Sequence, residues 1–265
     1  MKKKSNYLTD RVLTALKSVL VNDVGAIHEP FFIGKEREYL NSCIDSTYVS
    51  SVGAFVGEFE SKLTQYTNSK HAIAVVNGTS ALHIALKVVG VKPKDEVLVP
   101  AMTFIGTANA VSYCGATPHL VEIEEKTFGI DVPKLRHYLK SIVINRNDIS
   151  INKKTGNIIS AIIPMHAYGH PTELDQLKEL CNEFHLHMVE DAAESLGSIY
   201  KGKHTGTVGD LGIISFNGNK IITTGGGGVI LTNDEELASK ARHLTTTARI
   251  QHEWKMIHDE VGYNY

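Results

Sequence analysis

The chain has little that marks an exported, membrane-spanning or polyanion-binding protein. Its 265 residues include only three cysteines, Cys43, Cys114 and Cys181. They are odd in number, widely spaced and form no CxxC pair, which excludes a disulfide framework. No apolar run approaches the ~18 residues that a membrane span requires. The basic start, MKKK, leads into a segment interrupted by Asp10, Arg11 and Lys17. That pattern predicts an amphipathic helix and not a secretory signal. A formal net charge of −2 gives no general attraction to nucleic acid or anionic membrane. Internal repeats and low-complexity linkers are missing too. These absences predict a soluble protein of a reducing compartment, the cytoplasm.

What the chain does contain is an alternation of short β-branched runs and helical patterns. HAIAVVNG reads as a buried strand, and TSALHIALKVV then places Leu82, Ala85, Leu86 and Val89 at helical spacing. DEVLVP, TPHLVEI, NIISAII, HLHMVED, DLGIISF and GGVILTN complete seven strands. Helical patterns include TFIGTANAVSYCG, TELDQLKELCNEF, DEELASKARHL and DVPKLRHYLKSIV, the last opening on an Asp cap with an early Pro. Near-continuous apolar strands between helices predict an α/β fold whose sheet is mostly parallel and covered by helices on both faces. The strands at 213–216 and 229–231 are joined by a connection too short for a parallel crossover. One antiparallel member of a seven-stranded sheet is therefore expected.

Ligands of such sheets gather beyond the carboxyl ends of the strands. The exits here are polar, aromatic and glycine-rich. Gly78, Thr79 and Ser80 begin a helix, where free amides and the dipole suit a phosphate, although the motif taken alone favours an ordinary cap by Thr79 or Ser80. Asp191 ends a strand, as either a solvated acid or one aimed into a cleft. His185 and His187 share a strand face, but at its wrong end for a metal site. Phe104 follows the second strand and suits ring stacking or core packing. Lys220 lies between two apolar runs, with Gly225, Gly226, Gly227 and Gly228 behind it. Those glycines either let backbone crowd the lysine or form a flexible hairpin. A phosphate nest, an acid and a lysine at neighbouring strand exits make up the set that pyridoxal 5'-phosphate needs.

Taken in order, NGTSALHIAL, VPAMTFIGTANAV, MHAYGHP, VEDAAESLGS and GDLGIISFNGNKIITTGGGGVI strongly resemble the DegT/DnrJ/EryC1/StrS family. These are pyridoxal-phosphate-dependent nucleotide-sugar aminotransferases of fold type I. The resemblance runs from about Ile27 onward. The segment IHEPFFIGKEREYLNSCIDSTYVSSVGAFVGEFE looks like the LegC-type subgroup, which aminates UDP-4-keto-6-deoxy-N-acetylhexosamines on the way to nonulosonic acids and surface glycans. The resemblance implies that Lys220 is the Schiff-base lysine and Asp191 the partner of the pyridine nitrogen. It implies phosphate binding by Thr79 and Ser80 through their backbone and by Ser215 through its side chain, with Gly78 beside them among the cofactor-binding residues. It also implies stacking by Phe104 and a contact of Glu194, at a position where many relatives carry Gln, with the ring hydroxyl. Asn264 matches an asparagine that reaches the cofactor phosphate of a neighbouring subunit, so the resemblance implies a homodimer. L-glutamate is the implied amino donor.

Three regions are expected: an N-terminal helical segment over 1–30, a cofactor-binding large domain over 31–250, and a start at 251–265 of the connection to a C-terminal small domain. Relatives continue past YNY into that small domain, which helps close the substrate cleft. Its absence from this chain implies impaired turnover. Two alternatives follow: a truncated remnant that binds only cofactor or a partner, and an aminotransferase acting on a GDP-4-keto sugar.

Overall fold

The computed structural model describes residues 2–20, 28–250, 252 and 254–265. Residue 1 and residues 21–27, within the expected N-terminal segment, lie outside the described residues, as do 251 and 253. Among the described residues the α-helices are α1 (Lys2–Val19), α2 (Glu36–Ser46), α3 (Ala54–Thr67), α4 (Gly78–Val88), α5 (Ile105–Tyr113), α6 (Val132–Ile142), α7 (Leu174–Phe184) and α8 (Glu235–Thr245). The strands are β1 (His71–Val75), β2 (Glu96–Pro100), β3 (Thr117–Val121), β4 (Val143–Arg146), β5 (Ile149–Asn152), β6 (Ile159–Ile162), β7 (His187–Asp191), β8 (Ile199–Tyr200), β9 (Lys203–His204), β10 (Leu211–Ser215), β11 (Gly228–Thr232), β12 (Arg249–Ile250) and β13 (Ile257–His258).

Seven strands form the main sheet in the order β1-β11-β10-β7-β6-β2-β3. β11 runs antiparallel to both β1 and β10, and the other pairings are parallel. The single antiparallel member is the one its short connection requires. β2, β10 and β11 are buried along their whole length, because helices cover both faces. On one face Ile84 and Ala85 of α4, Ala110 and Val111 of α5 and Ala241 of α8 pack on Val97, Val99, Val189 and Ile213. On the other, Leu135 and Leu139 of α6 and Leu177 and Leu180 of α7 pack on Leu98, Ile162 and Met188. Leu63 of α3 covers the same sheet near Ile214, Phe216 and Val229. Each fully buried Leu or Ile contributes about 1.5–3 kcal/mol by leaving water. The packing therefore makes a rigid plate from which the strand exits project.

Two features of the sequence reading differ. The helical pattern ending in KSIV stops at Ile142, and residues 143–152 form the β4–β5 hairpin. This hairpin is tied to the amino end of β2, where buried Glu96 accepts hydrogen bonds from Asn152, Thr155 and His119. Burial alone would raise the Glu96 carboxyl, but these hydrogen bonds outweigh it and hold it below its ordinary range. His185 is not in a strand. It ends α7 in the left-handed conformation, with φ of 53°, so only His187 belongs to β7. Residues 257–265 fold back on α8: the Tyr263 amide donates to the Leu244 carbonyl at 2.7 Å and the Thr247 amide to the Tyr263 carbonyl at 3.0 Å.

Candidate active site

The strand exits converge on one cleft of about 740 Å³. Its anion-binding corner is the start of α4. Asn77, in extended backbone, caps this helix: its side-chain oxygen accepts the Ser80 amide at 2.8 Å and its carbonyl accepts the Ala81 amide at 3.0 Å. Neither Thr79 nor Ser80 is the cap, which corrects that alternative. Both belong to the first helical turn. The Ser80 amide, expected to hold a phosphate, is taken by the Asn77 cap, which corrects that expectation. The amides of Gly78 and Thr79 have no intrahelical acceptor there, and they lie at the positive end of the helix dipole. Ser215, at the end of β10, is pressed against this turn. A Cβ on residue 78 would lie 3.0 Å from the Ser215 Cβ, so a larger residue there would press on the Ser215 side chain. The last glycine of the run serves this corner and not the lysine: a Cβ on Gly228 would lie 2.5 Å from the Asn77 carbonyl oxygen. Replacing Asn77 with Ala is expected to cost about 1 kcal/mol. Thermal unfolding should record this as a Tm lower by roughly 2–4 °C, and an unchanged Tm would count against the cap.

The acidic corner is Asp191, buried at the end of β7. The Thr107 hydroxyl donates to its Oδ2 at 2.7 Å and the Ala193 amide to its Oδ1 at 3.2 Å. Burial raises the Asp191 carboxyl above its ordinary range, while these hydrogen bonds and the charge of Lys220 oppose the rise. Thr107 escaped the sequence reading. The available signal was its place in the first turn of α5, directly after Phe104 at the strand exit.

Lys220 follows β10 in a turn closed by its amide donating to the Asn217 carbonyl at 3.0 Å. Its side chain is only 13% exposed, and Nζ lies 3.1 Å from Glu194 Oε1. The Phe104 ring centroid is 5.9 Å from the same nitrogen. Phe104 is exposed at the cleft, so packing in the core does not account for it. Gly78, Thr79, Ser80, Phe104, Asp191, Glu194, Ser215 and Lys220 all line this one cavity. Asn264 does not. It is exposed and bridges to Thr246, while its neighbour Tyr265 reaches the cleft wall. The exposed Tyr168 also lines the cleft, from a left-handed backbone with φ of 51°.

A profile of the DegT/DnrJ/EryC1/StrS aminotransferase family matches residues 32–265. The chain belongs to this family. It is 44% identical over 219 residues to the GDP-perosamine synthase of Caulobacter vibrioides, covering 83% of this chain and 55% of that protein. It is 36% identical to the dTDP-3-amino-3,4,6-trideoxy-alpha-D-glucose transaminase of Streptomyces venezuelae, covering 78% of this chain and 50% of that one. Among solved structures it superposes on the aminotransferase from Psychrobacter cryohalolentis with a TM-score of 0.78 and 29% identity, over 89% of this chain and 58% of the other. The chain thus spans between half and three fifths of these relatives' lengths.

Proposed function

We propose that the chain carries the cofactor site of a pyridoxal-phosphate-dependent sugar aminotransferase. In this reading the enzyme moves an amino group, from L-glutamate as donor, onto the keto carbon of a nucleotide-linked 4-keto sugar. The observation that carries the reading is that Lys220, Asp191 and the anion-binding start of α4 all open into one cleft. These residues fit the cofactor. A helix start and a hydroxyl suit its phosphate, and a buried acid whose carboxyl is raised by burial gains by meeting a cationic ring nitrogen. When bound, pyridoxal phosphate supplies an electron sink for the carbanion formed at the donor's α-carbon.

The protein's own groups do the rest. The Gly78 and Thr79 amides and the Ser215 hydroxyl hold the phosphate. Asp191 keeps the ring nitrogen protonated, with Thr107 fixing one of its oxygens. Phe104 covers a ring face. Glu194 holds Nζ of Lys220 within the cleft. Lys220 takes the proton from the donor's α-carbon and returns it on the way to product, which is general acid–base work.

The LegC-type resemblance implies a UDP-linked substrate and nonulosonic acid synthesis. Identity to a GDP-perosamine synthase favours the GDP-linked alternative at least as well. The exposed position of Asn264, outside this cleft, supports its reaching the site of a second copy in a homodimer. The test incubates the chain with pyridoxal phosphate, 15N-labelled glutamate and either a GDP- or a UDP-linked 4-keto sugar. Mass spectrometry should find 15N in an amino sugar, with the GDP compound preferred. No labelled sugar from either substrate, together with no change of the visible cofactor band on adding glutamate, would refute the assignment.

A further inference from the structure

Glu190 precedes Asp191 on β7, and consecutive strand residues leave opposite faces of a sheet. Asp191 enters the cleft. Glu190 shares the face of Met188, which packs with α6 and α7, and it has no exposed surface. A buried carboxylate is costly unless donors meet its lone pairs, and here four do. Oε1 accepts the amides of Val208 and Gly209, each at 2.7 Å. Oε2 accepts the Gly206 amide at 2.9 Å and lies 3.1 Å from His166 Nε2. His166 is equally buried and accepts the Thr172 amide on Nδ1 at 3.4 Å, so Nε2 carries the proton toward Glu190. Burial alone would raise the Glu190 carboxyl, but His166 and the backbone donors outweigh it and hold it below its ordinary range. The turn is drawn in so tightly that a Cβ on Gly212 would lie 2.1 Å from the Gly206 carbonyl oxygen.

His166, together with Pro164, also brackets the main chain of Asp191. The His166 amide donates to the Asp191 carbonyl at 3.1 Å, and the Asp191 amide donates to the Pro164 carbonyl at 2.8 Å. Pro164 and His166 form the exit beyond β6. A side-chain bond from His166 to Glu190 and a backbone bond from His166 to Asp191 thus join two strand exits around one acid.

We propose that Glu190 and His166 are a positioning pair for Asp191. Their bond locks the exits of β6 and β7 together and fixes where the Asp191 carboxylate stands in the cleft. The proposal rests on the reading of Asp191 as the partner of the cofactor's ring nitrogen. Neither Glu190 nor His166 faces the cofactor. Their effect is expected in the protonation behaviour of the bound cofactor and not in its attachment to Lys220.

The test loads the chain with pyridoxal phosphate and measures the pH midpoint of its visible band, with the Tm and the site of borohydride labelling recorded alongside. His166→Gln keeps an N–H where Nε2 stands, and His166→Phe does not. Glu190→Gln turns one accepting oxygen into a donor that faces other donors. His166→Phe and Glu190→Gln are expected to move the midpoint by about one unit or more, a tenfold change in proton affinity. His166→Gln should restore it to within a few tenths, and the label should stay on Lys220 in every variant. A lowered Tm with an unmoved midpoint would overturn the proposal, as would a His166→Gln shift as large as that of His166→Phe. If His166→Phe does not fold, the comparison of Glu190→Gln with His166→Gln decides. Failure of the parent chain to label at all would instead count against the cofactor reading.

Discussion

Lys220→Arg is expected to abolish amino transfer and covalent retention of the cofactor while leaving the fold intact. Nζ is held in the cleft by Glu194 at 3.1 Å, and a guanidinium keeps that ion pair. What it loses is a nitrogen that can give up its proton, since arginine stays charged throughout the accessible range. Attachment to a carbonyl and proton transfer at the donor carbon both need such a nitrogen. Loss of the proton transfer alone accounts for about 10²–10⁴-fold. Transfer of 15N from glutamate, the visible band and the Tm are the three readouts. A variant that keeps more than a tenth of the parent rate would remove Lys220 from the reaction, whereas a collapsed Tm would show that the lysine serves the fold.

Asp191→Asn is the second large effect, and it separates function from stability. A charge-assisted hydrogen bond to the ring nitrogen is worth about 1.5–3 kcal/mol. Its loss should slow the half-reaction with glutamate by about 10- to 150-fold, as measured by stopped flow. The stability of the unloaded chain should move the other way. Burial raises the Asp191 carboxyl above its unfolded value. An acid raised in the folded state supports folding at low pH, and that support is lost as pH rises through the folded value. The amide carries no such charge. At neutral pH the unloaded variant should therefore melt no lower than its parent, and the two should converge under acid. A variant as fast as the parent would reduce Asp191 to a strand-end residue, and a lower Tm at neutral pH would contradict its burial as the source of strain.

Much of this arrangement is legible before folding. Seven apolar runs, their polar exits and one connection too short for a crossover are sufficient for the sheet and its antiparallel member. The same exits carry Lys220, Asp191 and the start of α4 into one cleft. What stays hidden depends on tertiary placement. The choice of Asn77 over Thr79 as cap turns on where the first helical turn begins, a boundary that local pattern leaves open by a residue or two. The β4–β5 hairpin is short, and its anchor, Glu96, comes from a strand some fifty positions earlier. α2 buries no residue, yet Tyr39, Leu40, Cys43 and Ile44 stand at helical spacing in it, a signal that the sequence reading left unused. Glu190 and Asp191 look alike as neighbouring acids, and only the pleat sends one to the cleft and the other to a turn of backbone amides. The glycine run after Lys220 is conspicuous, yet the backbone that its last member, Gly228, crowds is that of Asn77.

The central claim is that Lys220 is the residue that takes hold of the cofactor. Its most direct test is reduction of the cofactor-loaded parent chain with borohydride, followed by proteolysis and mass mapping. The account predicts a single modified peptide, the one containing Lys220. A label on any other lysine, or no covalent label after reduction, would contradict it.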